Sequence, residues 1–398
     1  FLSDGMLGDL SLHYHMGSLA EFYNLRKLVA QNRLPEGILS PEINDILLKA
    51  AELVMYFTYQ NYFIPKSNFN CTSALNDSWM KTKSVLSKNF ISYAEMFPDN
   101  QELKFMATEG VEGTEPSTEV KVFEASGHYI FRDGWKFADN TKEGTVLIHS
   151  NNYSEESLAG ADWSHNQPDN GTFELYHANR NFFPDSGSYV YGGDSAVLAQ
   201  RNWFRQTRVH NTVTLDDRDL EKTDSKLLLW DATPALTTLV TENPSYEGLT
   251  HRRAMFFTGE GLLVIADQVS GPAAGNVGGH FNLCPGRIEY AKDGTVRTLF
   301  DDGNNIRIKT SATVPVQIRE EEGWVSTAYR KKEERPAYAV EAQKTAGGEL
   351  LFITVIAPDE APFQGSIAIV PQKAPVGDTF RFAVRVGAKT YDLGYELK

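Results

Sequence analysis

The chain has 398 residues, of which 41% are apolar and 23% charged, and its net charge is −14. Such a length exceeds what one hydrophobic core serves, so two or three folded units are expected, and no apolar run approaches the roughly 18 residues of a membrane span. The acidic balance argues against nonspecific adhesion to nucleic acid or anionic lipid, so an anionic ligand would need a local basic cleft.

In chain order, the sequence begins at Phe1-Leu2-Ser3 without a Met, as a processed protein or a fragment would. Ser18 to Arg33 and Ser40 to Tyr62 carry apolar residues at three-to-four spacing, which predicts helices, and Ser40-Pro41-Glu42 reads as a cap followed by proline at the first helical position. Lys81 to Met106 continues the pattern with a break at Pro98. The loop Glu109 to Glu119 is rich in Gly, Glu, Thr and Ser, and beyond it the period changes to two. A domain boundary is expected there, giving a helical unit over 1–115 and a β unit over 116–398, with a small terminal β subdomain from about 310.

Short alternating segments then follow without intervening helices: Val120 to Phe123, Tyr129 to Arg132, Thr145 to His149, Thr172 to His177, Thr212 to Leu215, Ala254 to Phe257, Leu262 to Ala266, Ile306 to Thr310, Leu350 to Ile356 and Phe380 to Val386. Asp133-Gly134, Asp293-Gly294 and Asp302-Gly303 punctuate them as turns. This pattern predicts antiparallel β-sandwich structure. Cys71 and Cys284 lie far apart and have no metal-type spacing.

The densest polar information lies between Trp163 and Val213. His165 sits in a polar loop leading into a strand, where an imidazole stays accessible for proton transfer, although alone it reads more readily as a structural histidine. Asp185 and His210 are plausible metal ligands if the fold brings them together, with the amide oxygen of Gln167 as a third; singly they read as a turn cap and a histidine at a strand start. Arg201, Arg205 and Arg208 offer forked donors suited to carboxylate and sulfate, and equally to ion pairs with the acids of this chain.

Three stretches in order, Trp163-Ser164-His165 with Asp169, Gly171 and Phe173, then Pro184-Asp185-Ser186-Gly187-Ser188-Tyr189, then Arg205 with His210-Asn211-Thr212-Val213, resemble the hallmark of heparinase II/III-type polysaccharide lyases, most closely their heparan-sulfate branch. Phe123 to Trp135 resembles the opening strands of that family's β domain, and Asp4-Gly5-Met6 with Leu10 to His15 resembles a helix-entry segment whose tyrosine is catalytic. The resemblance implies an α+β architecture, a partial helical (α/α) toroid followed by antiparallel β-sandwich domains, with the site in the cleft between them. Residue by residue it implies Tyr14 and His165 as catalytic, Arg205, Arg208 and Trp163 as substrate-binding, and Gln167, Asp185 and His210 as ligands of one structural divalent metal, Ca2+ or Zn2+. The family also neutralises the substrate carboxylate with an Asn or His on a helix preceding the Asp4-Gly5 segment, which this sequence does not include.

The implied chemistry is β-elimination at a 4-linked uronic acid. The C5 proton becomes acidic only when the adjacent carboxylate is neutralised, and a tyrosine near its ordinary pKa of about 10 needs cationic neighbours or a histidine to act as base. The implied partner is an acidic polysaccharide, with the upstream helical segment completing the site, no nucleic acid and no membrane; the implied location is bacterial periplasm or the exterior. An alginate or other uronate lyase on the same scaffold and a non-catalytic carbohydrate-binding sandwich are the alternatives.

Overall fold

The computed structural model describes residues 1–35, 37, 40–135, 144–151, 165–370 and 378–398. Four helices lead: α1 (Leu12–Gln31), α2 (Pro41–Tyr56), α3 (Lys83–Met96) and α4 (Gln101–Ala107). α2 starts where the sequence signals it, with Ser40 Oγ accepting the Ile43 N–H at 3.4 Å and Pro41 in the first turn, where a missing N–H costs nothing. The apolar pattern expected to run to Tyr62 ends as α-helix at Tyr56 and resumes as a single 3-10 turn, Gln60–Phe63. α3 stops before Pro98, and Asn100 caps α4 through the Leu103 N–H at 2.8 Å. α1 begins at Leu12, earlier than its apolar spacing indicates, and therefore carries Tyr14 in its first turn.

An antiparallel sheet follows, ordered β1 (Val120–Phe123), β2 (His128–Arg132), β3 (Thr145–Ser150), β4 (Phe173–His177) and β5 (Arg180–Asn181). Its inner strands β2 to β4 are buried on both faces. Ile130, Val146 and Ile148 join the helical core, whereas Tyr129, Phe131 and Leu147 pack with Leu239, Met255 and Ile265 of a larger sheet, as the two-residue period of a strand requires. That larger sheet has eight antiparallel strands. Its opposite face, with Val240, Phe256 and Val264, covers Phe380, Phe382 and Val384 of a three-stranded terminal sheet. Helices and three sheets thus stack as successive layers, each sharing a core with the next. The described part is α+β.

The short helix α5 (Ser195–Phe204) is capped by Asp194, whose Oδ1 accepts the Ala196 and Val197 N–H groups at 3.1 and 3.0 Å. It interrupts the β region before β6 (Val213–Leu215), which edges a four-stranded sheet. Around residue 310, where a separate terminal unit was expected to begin, the strand Ile306–Ala312 instead pairs along its length with Leu350–Pro358 inside the eight-stranded sheet. The small terminal sheet begins at Ile367. Partner choice between strands depends on residues distant in sequence, so local alternation does not reveal it.

Candidate active site

The site is assembled on residues 76–79, which precede α3 and belong to no helix or strand. Ser11 stands just before α1 yet does not cap it; its hydroxyl donates to the Asp77 carbonyl at 2.8 Å. Asn76 takes φ +64, a left-handed conformation that asparagine tolerates, and so bonds in two directions. Its amide donates to Leu10 O at 3.0 Å and its Oδ1 accepts the Gln167 N–H at 3.1 Å. The start of α1 and the loop after His165 are thereby tied to one short segment.

Asp77 is the buried centre of this arrangement. Its Oδ1 accepts from Ser188 at 2.8 Å and from Gln167 Nε2 at 3.1 Å. Its Oδ2 accepts from Arg205 at 2.9 Å and from Arg201, with His165 Nδ1 at 3.3 Å. Burial works against the carboxylate, but the bond to His165 and the two guanidinium groups outweigh it and hold the pKa down, to about 2. Asp77 is therefore an anion whose surroundings hold His165 by its Nδ1 in a fixed orientation.

Tyr14 meets that imidazole face to face: the ring centroids are 3.8 Å apart and the planes 16° from parallel. Tyr191 sets its edge toward both rings, at 6.0 Å from Tyr14 and 5.7 Å from His165, and donates to the Asp77 carbonyl at 3.0 Å. Residues 151 positions apart are thus brought into contact, one from a helix and one from a β-strand approach. The pair is partly open to solvent, His165 keeping 23% of its side-chain exposure. Side by side, the phenol and the imidazole can each hold or take a proton at one shared ligand.

Of the residues expected to bind substrate, Arg205 is committed to Asp77 and to the Asn166 carbonyl at 3.0 Å, which is the ion-pair alternative. Arg208 bonds Gln206 Oε1 at 2.9 Å, and its charge acts on Glu321, away from the Asp77 cluster. Trp163 lies outside the described residues.

Behind His165 lies a second buried group. Single ligand atoms of Asp169, Asp185 and His210 all fall within 4.8 Å of one another. Asp185 Oδ2 is 2.9 Å from His210 Nδ1, while Asp185 Oδ1 accepts the Gly187 N–H at 2.7 Å. His210 Nε2, both Asp169 oxygens and Gln167 Oε1 are buried without a hydrogen-bond partner among the described residues. Burial, with Asp185 adding repulsion, pushes the Asp169 carboxyl up to about 7. With His210 Nδ1 donating to Asp185, His210 Nε2 and the neighbouring Asp169 oxygens are left as a donor set that a cation could occupy. Asp185 and His210, two of the three residues expected as ligands, thus lie together with Asp169, while Gln167 turns its Nε2 to Asp77.

Residues 115–360 match the family described as heparinase II/III-like, C-terminal, and residues 1–105 match the heparinase II/III N-terminus. The chain belongs to the heparinase II/III family. It is 41% identical over 375 residues to a heparin-sulfate lyase of Bacteroides thetaiotaomicron, an alignment covering 90% of this chain and 51% of that protein. A heparin-sulfate lyase of Bacteroides stercoris is 35% identical over 402 residues, covering 99% and 57%. The crystal structure of heparinase III superposes with a TM-score of 0.92 at 37% identity, covering 100% of this chain and 61% of that one. A heparan sulfate lyase from Pedobacter heparinus gives 0.85 at 30% identity, covering 100% and 60%. The chain therefore spans little more than half the length of the relatives it matches.

Within this heparinase II/III fold, sequence reasoning missed Asp77, Asp169 as a cluster member, and Tyr191. Asp77 lies in Leu75-Asn76-Asp77-Ser78-Trp79, which has neither helical nor strand period. The one available signal was a polar run ending in tryptophan between two helical stretches. Asp169 was visible inside the motif but carried no pairing signal, because its partners lie 16 and 41 positions away.

Proposed function

We propose that this chain carries the tyrosine–histidine part of a polysaccharide lyase that cleaves a uronic-acid-containing glycosaminoglycan, heparan sulfate above all, by β-elimination. The observation that carries the reading is the stacked Tyr14–His165 pair beside Asp77, in a chain whose relatives are named heparin-sulfate lyases. In the proposed reaction the C5 proton passes to Tyr14, the electron pair forms the C4–C5 double bond, and the C4–O4 bond breaks. Tyr14, which takes the C5 proton as a phenolate, then returns that proton to the leaving O4 and is restored to its starting form. His165, held by Asp77, supports the phenolate form of Tyr14 before the transfer and the charge that develops on the sugar carboxylate during it.

The helices are proposed to be part of an α/α toroid, the remainder of which would supply the group that neutralises the uronate carboxylate. Asp169, Asp185, His210 and Gln167 are proposed to hold one divalent ion, Ca2+ or Zn2+, in a structural role. The ion would neutralise two buried carboxylates and keep the loop that presents His165 in place. Its removal by chelator should lower the melting temperature of the wild type and leave Asp169→Asn unaffected. A periplasmic or extracellular location is proposed from the family; no described helix is long and apolar enough to cross a membrane.

The test is absorbance near 232 nm, the band of the unsaturated uronide, with heparan sulfate, heparin and alginate, on the chain alone and joined to an upstream helical segment. A rise on heparan sulfate that both Tyr14→Phe and His165→Ala abolish establishes the reading. A rise on alginate alone moves the substrate class, and no rise in either form removes the lyase assignment.

A further inference from the structure

Lys81 follows Trp79 on the segment that carries Asp77 and stands beside the first turn of α1. Its ammonium meets the Nδ1 of His13, the residue before Tyr14. Burial, then the charges of Lys81 and His165, push the His13 pKa down to about 4, so at neutral pH this imidazole is an uncharged acceptor for one Lys81 hydrogen. The His13 ring lies 5.3 Å from that of Tyr14 and 5.3 Å from that of Trp79. Trp79 in turn edges Tyr191 at 5.2 Å and the exposed Tyr329 at 5.7 Å. Lys81 therefore sits one side chain away from Tyr14, at one end of an aromatic wall that runs past the Tyr14–His165 pair.

The ammonium has two further hydrogens, and no acceptor takes them among the described residues. No carboxylate of those residues lies within ion-pair distance either. Two other buried lysines have fuller sets of partners: Lys83, two residues on, pairs with Glu109 at 2.7 Å and donates to Ile64 O at 2.7 Å, and Lys344 donates to three carbonyls. A partly buried ammonium with one neutral partner among the described residues is costly in the free protein, and burial depresses its pKa, to about 8.

We propose that Lys81 is an anion-holding residue of the cleft, taking a sulfate or carboxylate oxygen of the sugar next to the cleaved linkage and so setting the register of the glycan against Tyr14. The proposal rests on the lyase reading and adds a specificity residue to it. The glycan would supply acceptors for the two N–H groups that no described residue takes, while His13 holds the third.

The test uses the full-length protein carrying Lys81→Met, Lys81→Arg and, as a control on the surface, Arg287→Gln. Initial rates are measured on heparan sulfate and on the same polymer after desulfation and N-acetylation. Oligosaccharide binding is also measured calorimetrically in a Tyr14→Phe background, so that the result does not depend on turnover. Lys81→Met should raise KM and weaken binding about tenfold or more, the worth of a charge-assisted hydrogen bond, with a smaller change in kcat. Lys81→Arg should recover most of the loss, and Arg287→Gln should change nothing. A loss confined to the sulfated polymer assigns the contact to sulfate, and a loss on both assigns it to carboxylate.

Thermal unfolding separates this role from a structural one. Removing an uncompensated buried charge should leave the melting temperature of Lys81→Met unchanged or raised, whereas a structural lysine would lower it. Unaltered KM and binding in Lys81→Met, or a fall in melting temperature that accounts for the lost activity, would overturn the proposal. Absence of any 232 nm product from the wild type would instead remove the lyase reading, and the calorimetric comparison would still report on Lys81.

Discussion

Two buried aspartates in this protein are held by the same chemistry in different places. Asp267, inside the eight-stranded sheet, is bound by Arg253 through Nε and Nη2, the latter at 2.9 Å, and by His251 Nε2 at 2.8 Å. Arg253 also reaches the carbonyls of Gly171 and Asn211, so the knot clamps the loops that follow His165 and His210 onto the sheet. Asp77 likewise binds two guanidinium groups and a histidine, but at the boundary between helices and strands, where the histidine keeps a solvent-facing edge. Both carboxylates have depressed pKa values: burial opposes each, and the neighbouring cations and hydrogen bonds prevail. What differs is the position of the histidine, enclosed in one knot and presented to a ligand in the other. An ion cluster becomes part of a site through its place in the fold.

The comparison is broken most sharply by deleting each aspartate. Asp77→Ala leaves two guanidinium groups in a buried setting, which should cost about 3 to 5 kcal/mol of stability. It should also release His165 from its orientation and bring 232 nm turnover below detection, so urea midpoint and rate fall together. Asp267→Ala should cost a similar amount of stability, yet turnover per folded molecule should persist, because Tyr14 and His165 touch neither Asp267 nor Arg253. Equal loss of turnover in both variants would mean that the sheet knot also orders the site.

A smaller effect sharpens the electrostatic half of the comparison. An unfolded aspartate titrates near 3.9, whereas Asp77 in the fold titrates at about 2. Between these values the unfolded chain binds more protons, so stability rises with pH in that window. The contribution is complete above about pH 4 and is lost as pH falls through 2. Urea midpoints measured from pH 5 to pH 2 should therefore drop for the wild type and drop less steeply for Asp77→Asn. The same holds in direction for Asp267. An unchanged slope in Asp77→Asn would show that its ion pairs contribute nothing in solution.

Local signals in the sequence are reliable where they depend on neighbouring residues. The Ser40-Pro41 start of α2, the break at Pro98 and the turns at Asp293-Gly294 and Asp302-Gly303 all occur in the structure. Strands such as Val120–Phe123 and Thr379–Val386 carry their alternation openly. The strand Gly275–Asn282 escapes such a reading because its run Gly278-Gly279 lacks side chains to display a period. Lys226–Ala232 escapes it because it lies at the edge of the large sheet, where its burial is incomplete and its apolar run Leu227 to Trp230 does not alternate. α5 is hidden because only one of its ten residues, Phe204, is buried, so it has no apolar stripe to read.

The same division runs through the site. Family motif and residue chemistry sufficed to single out Tyr14, His165, Gln167, Asp185 and His210, since each stands in a distinctive stretch of sequence. Tertiary structure decided that Tyr14 stacks on His165, that Arg201 and Arg205 turn inward to Asp77, that Asp169 joins the buried cluster, and that Lys81 meets neutral His13. The physical reason is one of range. Caps, turns and strand alternation arise from atoms a few residues apart, while the fate of a buried charge depends on which distant groups the packed layers bring within about 4 Å.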